Sequence, residues 1–264
     1  MSPAEALHTA ARRYLQQQYN YWAGRYARER SGHTDTYSDS DYNLYPRYNV
    51  LAAILGEVER LTGRAGGNIE TLRAQLRQMG AEAQSLLTGG DHNSIEEEAM
   101  REERERFIAW LDSVDDSSLA DVAALPYRRR LSEEEREALR GILYERWGYA
   151  GDYWEPLEGL SPQPVCWVLQ QYLSDEDRAQ LEMFIRTLAG ARCYELTEDG
   201  IDAEIDNSLV DTRNEEMFYC DAAAEWIVYV SHEGTLAVGS DALISSLRDL
   251  FAGREGLLNR WPEE

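Results

Sequence analysis

The fold of this chain is decided by residues 192–253, which read RCYELTEDGIDAEIDNSLVDTRNEEMFYCDAAAEWIVYVSHEGTLAVGSDALISSLRDLFAG. Short apolar runs alternate here with tight-turn residues, a pattern typical of antiparallel strands. The runs predicted to be strands are Arg192–Thr197, Ile201–Asp206, Glu216–Cys220, Glu225–Ser231 and Thr235–Val238. Asp199-Gly200 marks a hairpin turn, because both residues tolerate the positive φ that a tight turn requires.

The end of this stretch predicts a helix that packs on the sheet. Ser240 is a suitable N-cap and Gly253 a suitable stop. The apolar residues between them share one helical face: Leu243, Ile244, Leu247, Leu250 and Phe251. The C-terminal part is therefore predicted to be an antiparallel sheet of four or five strands packed with helices.

The first half of the chain predicts an α-helical bundle. Apolar residues recur at helical spacing over residues 3–29, 49–61 and 69–86, and again from residue 93 or 94 onward. Segment 31–47 is predicted to be a polar loop. Further helices are predicted after the capping box Leu131–Glu135 and over Asp175–Leu188.

The predicted fold class is thus α+β, with an α-helical domain over residues 1–148 and an α+β domain over residues 165–264. Residues 149–164 are rich in glycine and proline and are predicted to link the two. The charge changes across this region. Residues 1–150 carry a net charge of −6, whereas residues 151–264 carry −17.

Composition narrows the classes of partner and chemistry. The net charge of −23 disfavours nucleic acid and favours a basic protein partner. All 26 basic residues are arginine, which excludes a Schiff-base lysine or a phosphate-loop lysine. No apolar run is long enough to span a membrane, and the first residues do not resemble a signal peptide, so a cytoplasmic protein is expected. The three cysteines and four histidines lack zinc-ligand spacing, and no metal or cofactor is predicted.

The acidic stretch from Glu195 to Glu225 is the first candidate site, with eleven acidic residues and a single arginine. In the run Ile201–Asp206 the acidic residues alternate with apolar ones, which predicts a row of carboxylates on one face of a strand. The residues predicted to bind a basic partner are Asp202, Glu204, Asp206, Glu215 and Glu216. The alternative interpretation is a solvated outer face of the sheet.

A second candidate site joins Cys220, Asp221 and His232. Cys220 and Asp221 end one predicted strand and His232 lies in a neighbouring turn, so a thiolate with a nearby base is one interpretation. The chain would then be a hydrolase or transferase. A histidine in a turn more commonly satisfies local backbone groups, and the sequence contains none of the familiar catalytic motifs.

A third candidate site lies in segment 14–48, which holds eight of the sixteen tyrosines together with several arginines. Aromatic rings interleaved with arginine can bind a nucleotide or a nucleic-acid end. The residues concerned are Trp22, Arg25, Tyr26, Arg47 and Tyr48. The alternative is ordinary packing of these side chains on the helical bundle.

The basic triplet Arg128–Arg130 is expected to pair with Glu133–Glu135.

The function predicted from these features is that of a non-enzymatic bacterial interaction protein. Its acidic C-terminal domain binds a basic protein partner, and neutralising or regulating that partner in an immunity or defence setting would suit this charge. The enzyme with a Cys–His site and the nucleotide-binding protein remain as alternatives.

Overall fold

The computed structural model of the chain describes residues 1–30, 36–149, 154, 161–198, 201–214 and 216–261. The chain forms two compact units, Met1–Leu125 and Pro126–Glu264. The first is helical and the second combines helices with a sheet, which confirms the predicted α+β class. Within these ranges, no helix has both the length and the apolar character needed to cross a membrane.

The described residues of the first unit form five α-helices. Helices α1 to α5 span Pro3–Arg30, Asp39–Arg60, Ile69–Glu82, Ser94–Ser113 and Asp116–Leu119. Asn68 and Asn93 cap α3 and α4 by accepting hydrogen bonds from amides of the first turn. The apolar faces of the helices meet in one core, whose buried side chains include Leu7, Leu15, Leu51, Ile54, Leu76 and Phe107. The bundle predicted from apolar spacing is therefore present.

Helix α2 begins well before residue 49, where the sequence analysis placed its start. The predicted loop is wrong over residues 39–47, and residues 31–35 lie outside the described ranges. A capping box explains the early start, because Ser38 Oγ accepts from the Asp41 amide while the Asp41 carboxylate accepts from the Ser38 amide. Pro46 is buried inside the helix, where it has no amide to donate a backbone hydrogen bond.

An antiparallel sheet of seven strands forms the centre of the second unit. Strands β1 to β7 span Arg128–Arg130, Val165–Leu169, Arg192–Thr197, Ala203–Asp206, Met217–Cys220, Ile227–Val230 and Thr235–Gly239. Their order across the sheet is β1-β4-β3-β5-β6-β7-β2. The five strands predicted from alternation are all present. The edge strands β1 and β2 raise the number above the predicted four or five.

Helices cover both faces of this sheet. Helices α6, α7 and α8 span Glu133–Trp147, Asp175–Ala189 and Asp241–Leu250. Strand β6 illustrates the arrangement, since Val228 packs in a core with α7 and α8 whereas Tyr229 packs with α6 on the opposite face. Burial on both faces explains why β6 reads as a continuous apolar run.

The division between the units falls between Leu125 and Pro126, ahead of the linker predicted at 149–164. Helix α6 accounts for this difference, because its Leu139, Leu143 and Trp147 are buried against the sheet. Strand β1 also belongs to the sheet, through its pairing with β4. Of the predicted linker, the structure describes residues 149, 154 and 161–164.

Candidate functional site

One end of the sheet brings together two glutamates and a histidine. Strands β3, β5 and β6 are antiparallel neighbours, so the end of β3, the start of β5 and the end of β6 lie side by side. Glu198 follows β3, Glu216 precedes β5 and His232 lies in the turn after β6. One ligand atom of each lies within 4.8 Å of the others. We call these three residues the sheet-end cluster.

The cluster is open to solvent on one side and supported on the other. The side chains of Glu216 and His232 are 51% and 48% exposed, and the Glu216 Oε1 to His232 Nδ1 distance is 3.3 Å. Glu198 is half-buried, and its Oε1 accepts a hydrogen bond of 3.2 Å from the buried hydroxyl of Tyr229. The Tyr229 ring stacks on Phe218 with centroids 4.2 Å apart. The support for Glu198 is thus anchored in the core.

The charge environment of the cluster differs from that of Asp202, Glu204 and Glu195 in this unit, each of which pairs with an arginine. Among the residues that the structure describes, no arginine pairs with Glu198 or Glu216. Two carboxylates held close together without a cation concentrate negative potential. Glu216 also adopts a left-handed backbone conformation, with φ of 60°. That conformation costs a non-glycine residue roughly 1–2 kcal/mol.

The structure does not assemble the Cys220 and His232 pair. Cys220 lies opposite Ile227, whereas His232 follows Val230 at the other end of the same strand pair. Three residues of strand separate these ends, about 10 Å. Cys220 is fully buried, and burial raises the pKa of its thiol well above the ordinary value. Asp221 accepts a hydrogen bond from the Glu225 amide in the β5–β6 turn, which is a structural role.

The row of carboxylates predicted over Ile201–Asp206 is not a free acidic face. Asp202 is buried, and its two oxygens accept hydrogen bonds of 2.8 and 2.9 Å from Arg140. Glu204 pairs with Arg129 at 3.2 Å. Asp206 is half-buried and caps the following turn by accepting from the Ser208 amide. Arginines of the unit thus neutralise Asp202 and Glu204, so the row is not the free acidic face that alternation predicts.

Two more residues, Glu215 and Glu216, are predicted to bind a partner, and the structure describes one of them. Glu216 belongs to the sheet-end cluster, whereas Glu215 lies outside the described residues. Within the basic triplet, Arg129 pairs with Glu135 at 2.9 Å, as expected. Arg128 pairs instead with Glu195 at 2.6 Å, on a strand far along the chain.

In segment 14–48 the Arg47 guanidinium is used for packing. Arg47 is buried and pairs with Glu102 and Glu103 of α4 at 2.8 and 2.7 Å. Its guanidinium also lies 4.7 Å from the ring centroid of Trp22, which is itself 8% exposed. A cation already neutralised and stacked in the core is not available for a phosphate.

The remaining residues of that segment form an aromatic cluster on α1 and α2. The Tyr26 and Tyr48 rings have centroids 5.7 Å apart, and burial raises the pKa of Tyr48 to about 12. Arg25 pairs with Glu29 at 2.6 Å. These contacts support the packing interpretation of the segment.

Comparisons of the chain with protein-family models, with curated proteins and with solved structures give no match. The proposed function is therefore based on the geometry of the second unit. The sequence analysis predicts Glu216 and His232 for two different sites, and it includes Glu198 in the acidic stretch from Glu195 to Glu225 without selecting it as a binding residue. Glu198, Glu216 and His232 are close together because β3, β5 and β6 are neighbours in the sheet, and this strand order cannot be read from the sequence.

Proposed function

We propose that this protein is a non-enzymatic interaction protein whose acidic second unit binds a basic protein partner at the sheet-end cluster. Residues 126–264 contain 29 acidic residues and 13 arginines, a net charge of −16. The single observation that carries the proposal is the proximity of Glu198 and Glu216, which no described arginine neutralises. Arginine or lysine side chains of a partner would supply the missing positive charge.

The contrast with neighbouring carboxylates supports this position of the docking surface. Asp202, Glu204 and Glu195 are each matched by an arginine of the same unit. A partner that approached them would have to displace internal ion pairs. Glu198 and Glu216 require no such displacement, and one side of their cluster faces solvent. Association there should be steered by charge and weakened by salt.

The competing functions receive less support from the same geometry. Cys220 and His232 are at opposite ends of a strand pair, so the hydrolase or transferase lacks its proposed base. Arg25 and Arg47 of segment 14–48 are paired with glutamates of the helical unit, which weakens the case for the nucleotide-binding alternative. We propose that the protein acts in the bacterial cytoplasm. There it would neutralise or regulate its partner in immunity or defence.

The test is affinity capture from the native host with three forms of the full chain. The wild type is compared with Glu198→Gln/Glu216→Gln and with a control, Glu134→Gln/Glu145→Gln. The control removes the same charge from exposed positions on α6. We expect the wild type and the control to capture the same basic protein at low salt, released at high salt, and the cluster variant to lose it. Equal capture by all three forms would contradict the proposal.

A further inference from the structure

The sheet-end cluster contains a set of ligand atoms that basic-partner docking does not require. A carboxylate pair alone would suffice for a partner's arginine. In this cluster an imidazole nitrogen lies beside two carboxylates, and the three donor atoms are within 4.8 Å of one another. They come from three separate segments of the chain, namely the end of β3, the start of β5 and the β6–β7 turn. We infer that Glu198, Glu216 and His232 bind a divalent transition-metal ion, with Zn²⁺ as the representative.

The distances fit this chemistry. Zn²⁺ binds histidine nitrogen and carboxylate oxygen at about 2.0–2.2 Å, so two ligands in tetrahedral arrangement lie about 3.3–3.6 Å apart. His232 Nδ1 and Glu216 Oε1 are 3.3 Å apart. Glu198 offers a carboxylate oxygen within 4.8 Å of the ligand atoms of the other two residues. Three protein ligands leave the remaining coordination position to water.

The charge of the cluster and the hydrogen bond from Tyr229 also suit a divalent metal ion. Two carboxylates and a neutral imidazole carry a charge of −2, which balances a divalent cation. Ligating carboxylates are usually oriented by a further hydrogen bond, and the buried Tyr229 hydroxyl supplies one to Glu198. The imidazole favours Zn²⁺ and related ions over Mg²⁺ and Ca²⁺, which select oxygen ligands.

This inference does not rest on the proposed partner. A bound Zn²⁺ would, however, neutralise the two carboxylates that the partner is proposed to contact, so metal and partner would compete for the cluster. The test is calorimetric titration of the full, tag-free chain with ZnCl₂, with CaCl₂ titrated separately. Glu216→Gln and His232→Gln remove one ligand each. Glu233→Gln is the matched control, since it removes one carboxylate next to His232 from a residue outside the cluster.

We expect one Zn²⁺ per chain, at least tenfold weaker binding for both ligand variants, and less than about threefold change for the control. The imidazole NMR signal of His232 should shift on Zn²⁺ addition, which identifies the ligand directly. Three results would overturn the inference: no stoichiometric Zn²⁺ binding, Zn²⁺ binding that the ligand variants leave intact, or tighter binding of Ca²⁺ than of Zn²⁺. A failure here would leave partner capture by Glu198 and Glu216 untouched, so the two proposals fail separately.

Discussion

Replacing Asp202 by alanine tests whether arginines of the second unit neutralise the carboxylates of β4. The proposed position of the docking surface depends on this neutralisation, because it leaves Glu198 and Glu216 as the site for a basic partner. The Asp202 side chain is fully buried and accepts from Arg140 Nε at 2.8 Å, from Arg140 Nη2 at 2.9 Å and from the Thr197 amide at 3.2 Å. Its removal takes the carboxylate away from a backbone amide and from a largely buried guanidinium, which still donates to the Thr197 carbonyl. Breaking one partner of such a pair costs about 3–5 kcal/mol, much more than the pair itself contributes.

The expected result is therefore a loss of about 3–5 kcal/mol in the free energy of unfolding for Asp202→Ala. Asp206→Ala is the matched control, because Asp206 only caps the next turn and should cost about 1 kcal/mol or less. Urea denaturation followed by fluorescence gives both values from the midpoint and slope. In the Asp202→Ala background, Arg140→Ala should cost about 2 kcal/mol less than in the wild type.

Equal midpoints for Asp202→Ala and the wild type would refute this reasoning. Asp202 would then be a solvated charge, as alternation alone suggests, and the row of carboxylates on β4 would again be a candidate docking face. A large loss without coupling to Arg140 would instead show that the aspartate acts through the backbone of Thr197.

Three further predictions concern the second unit. Trp226→Ala should cost about 3–5 kcal/mol in urea denaturation, because Trp226 is 3% exposed in the sheet core; a midpoint like that of the wild type would place it at the surface. Hydrogen bonds from Arg129 and the Ser132 amide lower the pKa of Glu135 to about 2, so its contribution is present above pH 4.5 and lost as the pH falls to 2. Glu135→Gln should cost about 1 kcal/mol at pH 7, allowing for solvent exposure, and nothing near pH 2; a cost independent of pH would contradict this. A fragment of residues 126–264 should unfold cooperatively, whereas one of residues 149–264 should not, because it lacks α6 and β1; equal cooperativity would support the boundary at 149–164.

Much of the fold could be predicted because its signals are local. Alternation and turn residues give β3 to β7, and Ser132 and Ser174 mark the starts of α6 and α7 through capping boxes. Strand β1 escaped prediction because Arg-Arg-Arg has no apolar alternation, and its conformation depends on pairing with β4. The burial of Asp202 likewise depends on Arg140, which is 62 residues away in the chain.

The candidate site was predicted only in pieces for a related reason. Glu216 and His232 were selected by residue type, but the partner of His232 was predicted to be Cys220. Strand order decides between these pairings, since β5 and β6 place Cys220 at one end and the turn that contains His232 at the other. Hydrophobic alternation fixes which face a residue occupies, but it does not determine which strand ends meet.

The association rate of the captured basic partner tests the central claim most directly. It should be measured by stopped-flow mixing at several salt concentrations for the wild type, Glu198→Gln/Glu216→Gln and Glu134→Gln/Glu145→Gln. We predict that the cluster variant associates about tenfold more slowly than the wild type at low salt, with the difference shrinking as salt rises, while the α6 control stays close to the wild type. Equal rates for the cluster variant and the wild type at low salt would contradict the claim that Glu198 and Glu216 form the docking surface.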